Sequence, residues 1–482
     1  MQISPEHVGI LHFIGIGGIG MSGIAEILHA SGYQVRGSDS AHNSNVERLE
    51  RLGIPISIGQ KAENVMGASV VVASSAIKDN NPELIKARDA GMPVVWRSEM
   101  LAEIMRLKPG IAIAGSHGKT TSTSLLAHIM SFADMDPTIV SGGIINSLGT
   151  NARLGSGKWV IAEADESDGS FVKLPATIAV ITNIDQEHMD HYGDFATLKK
   201  SFREFITKIP FYGLGVLCID DQNVRDLTET ITDRRTITVG LSEDAHIRAE
   251  DIIAAEDRTT FTVSLHGPAH DLRGAQDIHE TTMILPMIGT YNIQNALGVI
   301  AAALECGIDL ETISSSLLTF KGVQRRFTKV GAPNGVTIID DYAHHPIEIQ
   351  RVLEAAKNSC SRRVIAVVQP HRFSRLSNLF KEFAECTSEA HTVVVLPVHT
   401  AGEKSIEGID HQTLASAMRD NGHNHVIALD SADDLAATVS GIAAEGDYVI
   451  CMGAGSITGI AAALPDQLHN NNGPASDQAF GT

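Results

Sequence analysis

The sequence predicts an α/β protein built from three successive units, and three observations carry that prediction. Apolar runs of strand length alternate with helix-length segments through most of the 482 residues. Aromatics are only 5% of the chain while glycine alone contributes 43 residues, a balance suited to strands buried on both faces of parallel sheets. The strand, glycine turn, helix pattern also occurs twice, at "FIGIGGIGMSG" and at "IAIAGSHGKTTSTS".

The elements follow in order. Within residues 1–107, "VGILHFIGI", "YQVRGSD", "ASVVVASSAI" and "PVVW" read as strands. "GIGMSGIAEILHASG", "SNVERLERLG" and "NPELIKARDAG" read as the helices between them, which implies a parallel sheet with right-handed crossovers. "LKPG" marks a boundary, and residues 108–321 restart the pattern with a short strand, the second glycine turn and a helix. "KWVIAEADESD" and "TIAVITNIDQEHMD" are apolar runs ending in polar residues. "AHIRAEDII", "TTFTVSLHG" and "TTMILPMIG" look like a small antiparallel sheet, and "YNIQNALGVIAAALECG" like a helix stopped at Gly307. Residues 322–465 form a third α/β unit with apolar runs "VTIIDDYAH", "RRVIAVVQPH", "HTVVVLPV", "HVIALD" and "DYVICMGAG". Residues 466–482 lack periodicity and read as a disordered tail.

Composition narrows the function. A formal net charge of −20 argues against a nucleic-acid surface and leaves room only for local basic pockets. Cys218, Cys306, Cys360, Cys386 and Cys451 are scattered without a C-x-x-C pair, the usage of a reducing cytosol in which each is a small buried hydrophobe. The N-terminus lacks a signal-peptide pattern, and no apolar run approaches the roughly 20 residues of a membrane helix. These features lead to the expectation of a soluble, cytoplasmic protein with no membrane partner.

Two glycine clusters compete for a nucleotide. The first matches G-x-G-x-x-G at Gly15, Gly17 and Gly20, with Asp39 19 residues further on, near where a ribose-binding acid belongs. Only 107 residues precede the boundary, too few for two full mononucleotide halves, so one nucleoside diphosphate on the helix N-terminus fits better than a dinucleotide. A tight turn with no ligand is the plain alternative. The second cluster lacks the usual phosphate-loop glycine at position 113, which is isoleucine, and has Gly115 instead. It keeps Gly118, Lys119 and Thr120, which supply a backbone nest, a point charge and a hydroxyl for Mg²⁺. "EADESD" (Glu163, Asp165, Glu166, Asp168) and "NIDQEHMDHY" (Asp185, Glu187, His188) end nearby strands, where carboxylates suit a hard cation and His188 suits either a second ion or a structural role. Arg325, Arg326, Arg372 and Arg375 stand near strand ends as clamps for phosphate or carboxylate, or as salt-bridged surface groups.

Taken in order, "GIGGIGMSGIAE", "GSHGKTT", "EADESDGSF", "NIDQEHMD", "NIQNAL", "RRF", "DDYAHHP" and "HRFSR" resemble the Mur ligase family over about residues 8–460. The resemblance implies Rossmann-like N- and C-terminal domains around a central P-loop ATPase-type α/β domain with a small antiparallel sheet. It implies an ATP site at Gly115, Ser116, His117, Gly118, Lys119, Thr120 and Thr121, since the family's loop is the short G-x-x-G-K-T form. Asn292 and Asn295 fall where the family contacts adenine, and Arg326 where it contacts the nucleotide. Thr120 and Glu163 would hold one Mg²⁺ and His188 a second, with Mn²⁺ able to substitute. The first cluster would cradle a UDP-sugar diphosphate at Gly17, Gly18, Ile19 and Gly20, with Asp39, Ser74 and Ser75 as neighbours. Tyr342, His344, Arg372 and Arg375 fall around the amino acid and the transferring phosphate, and His344 is the candidate for orienting the amine or taking its proton. Tyr291 stands where the family commonly has histidine, and the lysines nearest His188 (Lys199 and Lys200) are not placed for a carbamate.

The activity so implied is ATP-dependent joining of L-alanine to the lactyl carboxylate of UDP-N-acetylmuramate through an acyl phosphate, in peptidoglycan precursor synthesis. The partners are then ATP and the two substrates, with the chain a monomer or weak homodimer. Three rivals remain at this stage: attachment of a whole tripeptide to the same sugar, a nicotinamide-dependent dehydrogenase, and a UDP-sugar sensor without turnover.

Overall fold

A computed structural model describes residues 5–74, 76–145, 149–275 and 279–470. The chain forms two compact units. The first comprises residues up to 252 together with 260–286 and 292–323, and the second comprises 253–259, 287–291 and the chain from 324 onward.

In the first unit, strands β1 (Ile10–Ile14), β2 (Gln34–Asp39), β3 (Ile56–Ile58), β4 (Val70–Ala73) and β5 (Val94–Trp96) form a sheet of order β3-β2-β1-β4-β5. Every pairing in it is parallel. The period-2 pleat sends Leu11 and Phe13 into one apolar cluster and Ile14 into another on the opposite face. Chain order reverses between β1 and β4, so the crevice at their C-terminal ends is the site such sheets offer a ligand. The glycine turn 15–18 and Ser74 occupy those ends. At the starts of helices Ser44–Arg51 and Pro82–Asp89, the Asn43 and Asn81 side chains accept amide hydrogens. Sequence reading passed over the short β3 and the helix Arg97–Arg106.

The same unit contains a ten-stranded sheet: β6 (Gly110–Ala114), β7 (Thr138–Ile145), β8 (Thr150–Arg153), β9 (Val160–Glu163), β10 (Ala176–Ile181), β11 (Leu214–Cys218), β12 (Thr236–Gly240), β13 (Ile247–Ala254), β14 (Thr259–Leu265) and β15 (Glu280–Leu285). Its order is β15-β14-β13-β12-β11-β10-β6-β9-β7-β8. The strands expected as a small antiparallel sheet, β13 to β15, extend the edge of this sheet, and β13 pairs parallel to β12. Fully buried β6 is central, with parallel neighbours β9 and β10. The acidic stretches ending β9 and β10 therefore flank the glycine loop that ends β6.

The second unit's sheet comprises β16 (Thr328–Gly331), β17 (Thr337–Asp341), β18 (Val364–Val368), β19 (Thr392–Val395), β20 (Val426–Ala428) and β21 (Tyr448–Met452), ordered β16-β17-β21-β18-β19-β20. Only the β16–β17 pairing is antiparallel. Ile339, Ala366 and Val393 feed one core, and Ile338, Ile365, Val367 and Cys451 the other. Cys218, Cys306, Cys386 and Cys451 are buried and Cys360 is partly so, and none of these five described residues forms a disulfide. The helix Ile457–Asn470 carries Pro465 within it and runs five residues into the segment read as tail. Residues 471–482 lie outside the described residues. Among the described residues, no helix is long and apolar enough to cross a membrane.

Candidate active site

The first glycine turn is held mainly by its own backbone. The Gly15 and Ile16 amides donate to the Ser38 carbonyl at 2.8 and 3.0 Å, and Gly18 donates to Gly15 at 3.1 Å. Asp39 Oδ2 accepts the Gly17 amide at 2.8 Å. The acid singled out for a ribose is therefore engaged in fixing the turn. The amides open to an anion are those of the first helical turn, Ile19 and Gly20, which no intrahelical carbonyl can reach. Glycine at 20 has a steric reason: a Cβ there would lie 3.2 Å from the Arg97 Cδ. Arg97 in turn pairs with Asp165 at 3.2 Å, so one arginine spans the first glycine turn and the acidic stretch. Sequence reading missed it, although its position directly after "PVVW" marked it as a strand-end cation. Ser74 closes β4 and accepts the Ile77 amide, whereas Ser75 lies outside the described residues.

The second loop sits at the end of β6. Gly115 and Gly118 both take positive φ, +136° and +84°. Asn183 Oδ1 accepts the His117 amide at 2.8 Å, and Thr182 Oγ1 donates to the His117 carbonyl at 2.6 Å. His117 Nε2 lies 2.9 Å from Asp185, and Ser116 Oγ accepts the Asp185 amide at 2.8 Å. Gly118 caps the helix Lys119–Phe132, whose second residue is Thr120 and whose third, Thr121, is buried. Asn292 and Asn295 are buried on the helix Thr290–Glu305, and Asn295 crowds Gly118 so closely that a Cβ there would overlap its amide.

The acids divide the work around this loop. Thr120 Oγ1 donates to Glu163 Oε2 at 3.2 Å, while Gly142 N and Ser141 Oγ donate to Oε1 at 2.7 and 3.0 Å. Burial pushes the Glu163 carboxyl up against these lowering contacts, so an adjacent cation would relieve it. A hydroxyl and a carboxylate at hydrogen-bond separation are also the oxygen donors that Mg²⁺ prefers, and the pair fits such an ion. Glu166, fully buried, takes the Lys119 ammonium at 2.9 and 2.7 Å. Burial opposes the Lys119 charge, but Glu166 and Asp165 overcome it and raise the ammonium above its ordinary range. Ligand atoms of Glu166, Glu187 and His188 lie within 4.8 Å of one another, a second set with the chemistry for a divalent cation. Burial likewise opposes the His188 charge, and Glu166 and Glu187 more than offset it.

The residues predicted from the third domain form a cluster of their own in the second unit. The Arg325 and Arg326 guanidinium groups lie 4.5 and 5.2 Å from the Tyr342 ring centroid. The Tyr342 ring meets His344 at 5.0 Å, His344 meets His371 at 6.1 Å, and His371 stacks on His399 at 5.3 Å. His344 Nδ1 lies 2.9 Å from the Tyr342 carbonyl. A carbonyl only accepts, so Nδ1 carries a proton there, and in the neutral ring Nε2 is the acceptor nitrogen. Arg372 takes φ +70°, its amide bonded to the His399 carbonyl at 2.9 Å. Arg375 follows one turn on, in the helix Phe373–Asn378. Desolvation and the neighbouring His344, Arg375, His399 and Arg372 push His371 down to about 4. His371 and His399 were not singled out in the sequence, because a histidine in a strand-end loop gives no local signal of a partner 28 residues away.

Asp341 anchors this cluster and sets a pH dependence. It accepts the Phe327 and Ala343 amides, each at 2.7 Å, and so holds Phe327 at φ +50°. Burial, only partly countered by Arg326 and those amides, raises its carboxyl to about 6 from 3.8. An acid raised on folding binds its proton more tightly folded than unfolded. The contribution of this group to stability is therefore fullest below pH 3.8 and declines as pH climbs through about 6, by on the order of 3 kcal/mol. Chemical denaturation of the wild type and Asp341→Asn across that window should give a stability difference with this slope. A pH-independent difference would refute the assignment.

Comparison with known proteins agrees with this architecture. Residues 10–109 match the family model for the Mur ligase family, catalytic domain. Residues 113–303 match the Mur ligase middle domain and 325–455 the Mur ligase, glutamate ligase domain. A UDP-N-acetylmuramate–L-alanine ligase of Rhodopseudomonas palustris (strain TIE-1) is 52% identical over 468 residues, covering 96% of this chain and 98% of that protein. One from Rhizobium johnstonii is 51% identical over 469 residues, covering 97% and 99%. The crystal structure of a UDP-N-acetylmuramate-alanine ligase from Thermotoga maritima superposes with a TM-score of 0.80 at 26% identity, covering 96% of this chain and 100% of that one. A murein peptide ligase from Psychrobacter arcticus shares the fold, with a TM-score of 0.69 at 24% identity over 96% of this chain and 99% of its own. With three domain models matched in order and half of all positions shared with relatives over nearly their full length, the chain belongs to the Mur ligase family.

Proposed function

We propose that the chain is an ATP-dependent amide ligase that joins L-alanine to the lactyl carboxylate of UDP-N-acetylmuramate, releasing ADP and phosphate. The observation that carries this reading is the convergence of Lys119, Thr120, Glu163, Glu166 and His188 on one glycine loop. The identity to relatives bearing that name supports it. A carboxylate is a poor electrophile, so its oxygen first attacks the γ-phosphate of ATP to give an acyl phosphate. The alanine amine then attacks the acyl carbon, and phosphate leaves from the tetrahedral intermediate. Both steps bring anions together, and Lys119 offsets that repulsion with a fixed positive charge.

Thr120 with Glu163 would hold one Mg²⁺, and His188 with Glu166 and Glu187 a second, with Mn²⁺ as a substitute for either. Such ions would screen the triphosphate and the charge that develops in transfer. The amides at Ile19 and Gly20, in the turn built by Gly17, Gly18 and Asp39 beside Ser74, are assigned to the UDP diphosphate. Gly115 to Thr121 take the ATP phosphates, Asn292 and Asn295 the adenine end, and Arg326 the nucleotide. Tyr342, Arg372 and Arg375 are assigned to the amino acid and the transferring phosphate, and His344 Nε2 takes the proton that the amine must lose. We assign the domains to residues 1–107, 108–321 and 322–465, the chain to the cytoplasm, and its state to monomer or weak homodimer.

ADP release with ATP, Mg²⁺ and UDP-N-acetylmuramate tests the reading when L-alanine is compared with the L-Ala-γ-D-Glu-diaminopimelate tripeptide. Turnover with alanine is expected. Turnover with the tripeptide alone would replace this reading by peptide attachment, and silence with both would reject it.

A further inference from the structure

We propose that Glu166 is a positioning residue that latches the loop lysine until nucleotide phosphates arrive, and then becomes a carboxylate for a divalent cation. The inference rests on the reading of this loop as a nucleotide site and adds a coupling to it.

The geometry is specific. A lysine ammonium has three N–H donors. The Lys119 Nζ contacts the Gly115 carbonyl at 2.5 Å, the Ser116 carbonyl at 3.2 Å and the Glu166 carboxylate at 2.7 Å. All three donors are thus committed to the loop carbonyls and to Glu166. The two carbonyls belong to the loop itself and move only with it. The carboxylate is the partner that a phosphate oxygen can replace, since one anion exchanges for another at the same cation.

Glu166 is held so that the exchange moves the lysine and not the acid. Its side chain is fully buried, and its carbonyl accepts the Tyr192 hydroxyl at 2.6 Å and the Gly169 amide at 3.0 Å. Once Lys119 turns away, a buried carboxylate without a cation is costly. His188 Nε2 stands 3.6 Å from Glu166 Oε1, within the group whose ligand atoms lie inside 4.8 Å. Nucleotide binding therefore frees an acid where a cation site already has two other ligands. The reverse also holds, because coupling between two ligands is reciprocal: a cation on Glu166 releases Lys119 for the phosphates.

Calorimetric titration of the full-length protein with ADP, in EDTA and in excess Mg²⁺, tests the latch by binding alone. In Glu166→Gln the lysine is unlatched, so metal-free ADP should bind about tenfold tighter and the gain on adding Mg²⁺ should shrink by a similar factor. Asp168→Asn removes a charge from the same stretch, but that carboxylate binds Ser170 and not Lys119, so both quantities should change by under about twofold. If Glu166→Gln fails to fold, Glu166→Asp retracts the carboxylate by one methylene and should shift both quantities in the same direction by less. Metal-free affinity that is unchanged or weaker in a folded variant would overturn the latch while leaving the nucleotide site intact. Wild-type protein that binds no ADP in either buffer would overturn the nucleotide reading and the latch with it.

Discussion

Lys119→Ala should lower kcat for ADP release by about 10²–10³-fold, the usual consequence of removing one preorganised charge from a transferring group. The same substitution should destabilise the protein. Lys119 is the bidentate partner of a fully buried carboxylate, and stripping one member of such a pair costs about 3–5 kcal/mol unless the survivor takes up a proton. Steady-state kinetics and chemical denaturation read the two effects separately. A variant retaining more than about a tenth of wild-type turnover would show that another group carries the phosphate charge.

Gly115→Ala should be nearly as damaging for a different reason. The residue takes φ +136°, which L side chains rarely adopt, and a Cβ would overlap Thr182 Oγ1 and come within 3.1 Å of Asn183 backbone atoms. Thr182 cannot simply rotate away, because its hydroxyl is bonded to the His117 carbonyl at 2.6 Å. Relief must come from displacement of the loop, with a strain cost of about 1–3 kcal/mol and loss of the nest of amides. Thermal unfolding and ADP binding should both deteriorate. Adding Thr182→Gly should recover part of the stability, since it removes the overlap but not the backbone strain, and coupling of this kind is what a double-mutant cycle measures. Wild-type nucleotide affinity in Gly115→Ala would mean that the loop does not need this conformation.

The two outcomes explain what was legible beforehand. The departure at position 113 from the usual phosphate loop looked like a defect, but the glycine was only relocated. Gly115 is where the chain turns at the end of β6, and "GSHGKTT" already contained both glycines that take positive φ there. The third unit's strands were legible as well, because unbroken apolar runs such as "RRVIAVVQPH" mark strands covered on both faces. The helices that follow Asn43 and Asn81 were legible as segments, and the caps that start them are contacts over only two or three residues.

What a residue pairs with across the fold is another matter. "EADESD" put Glu163, Asp165 and Glu166 within four positions, and by spacing alone all three were candidates for one cation, with only the family resemblance singling out Glu163. The strand ends at Glu163, and beyond that point period-2 alternation no longer says where side chains point. The turn then delivers Glu163 to Thr120, Asp165 to Arg97 and Glu166 to Lys119, partners 43, 68 and 47 residues away. Composition, motif order and the positions of strands and glycine turns belong to the sequence alone, since they rest on local sterics and hydrophobic periodicity. The roles of the three acids belong to the tertiary structure, because sheet order decides which strand ends lie side by side.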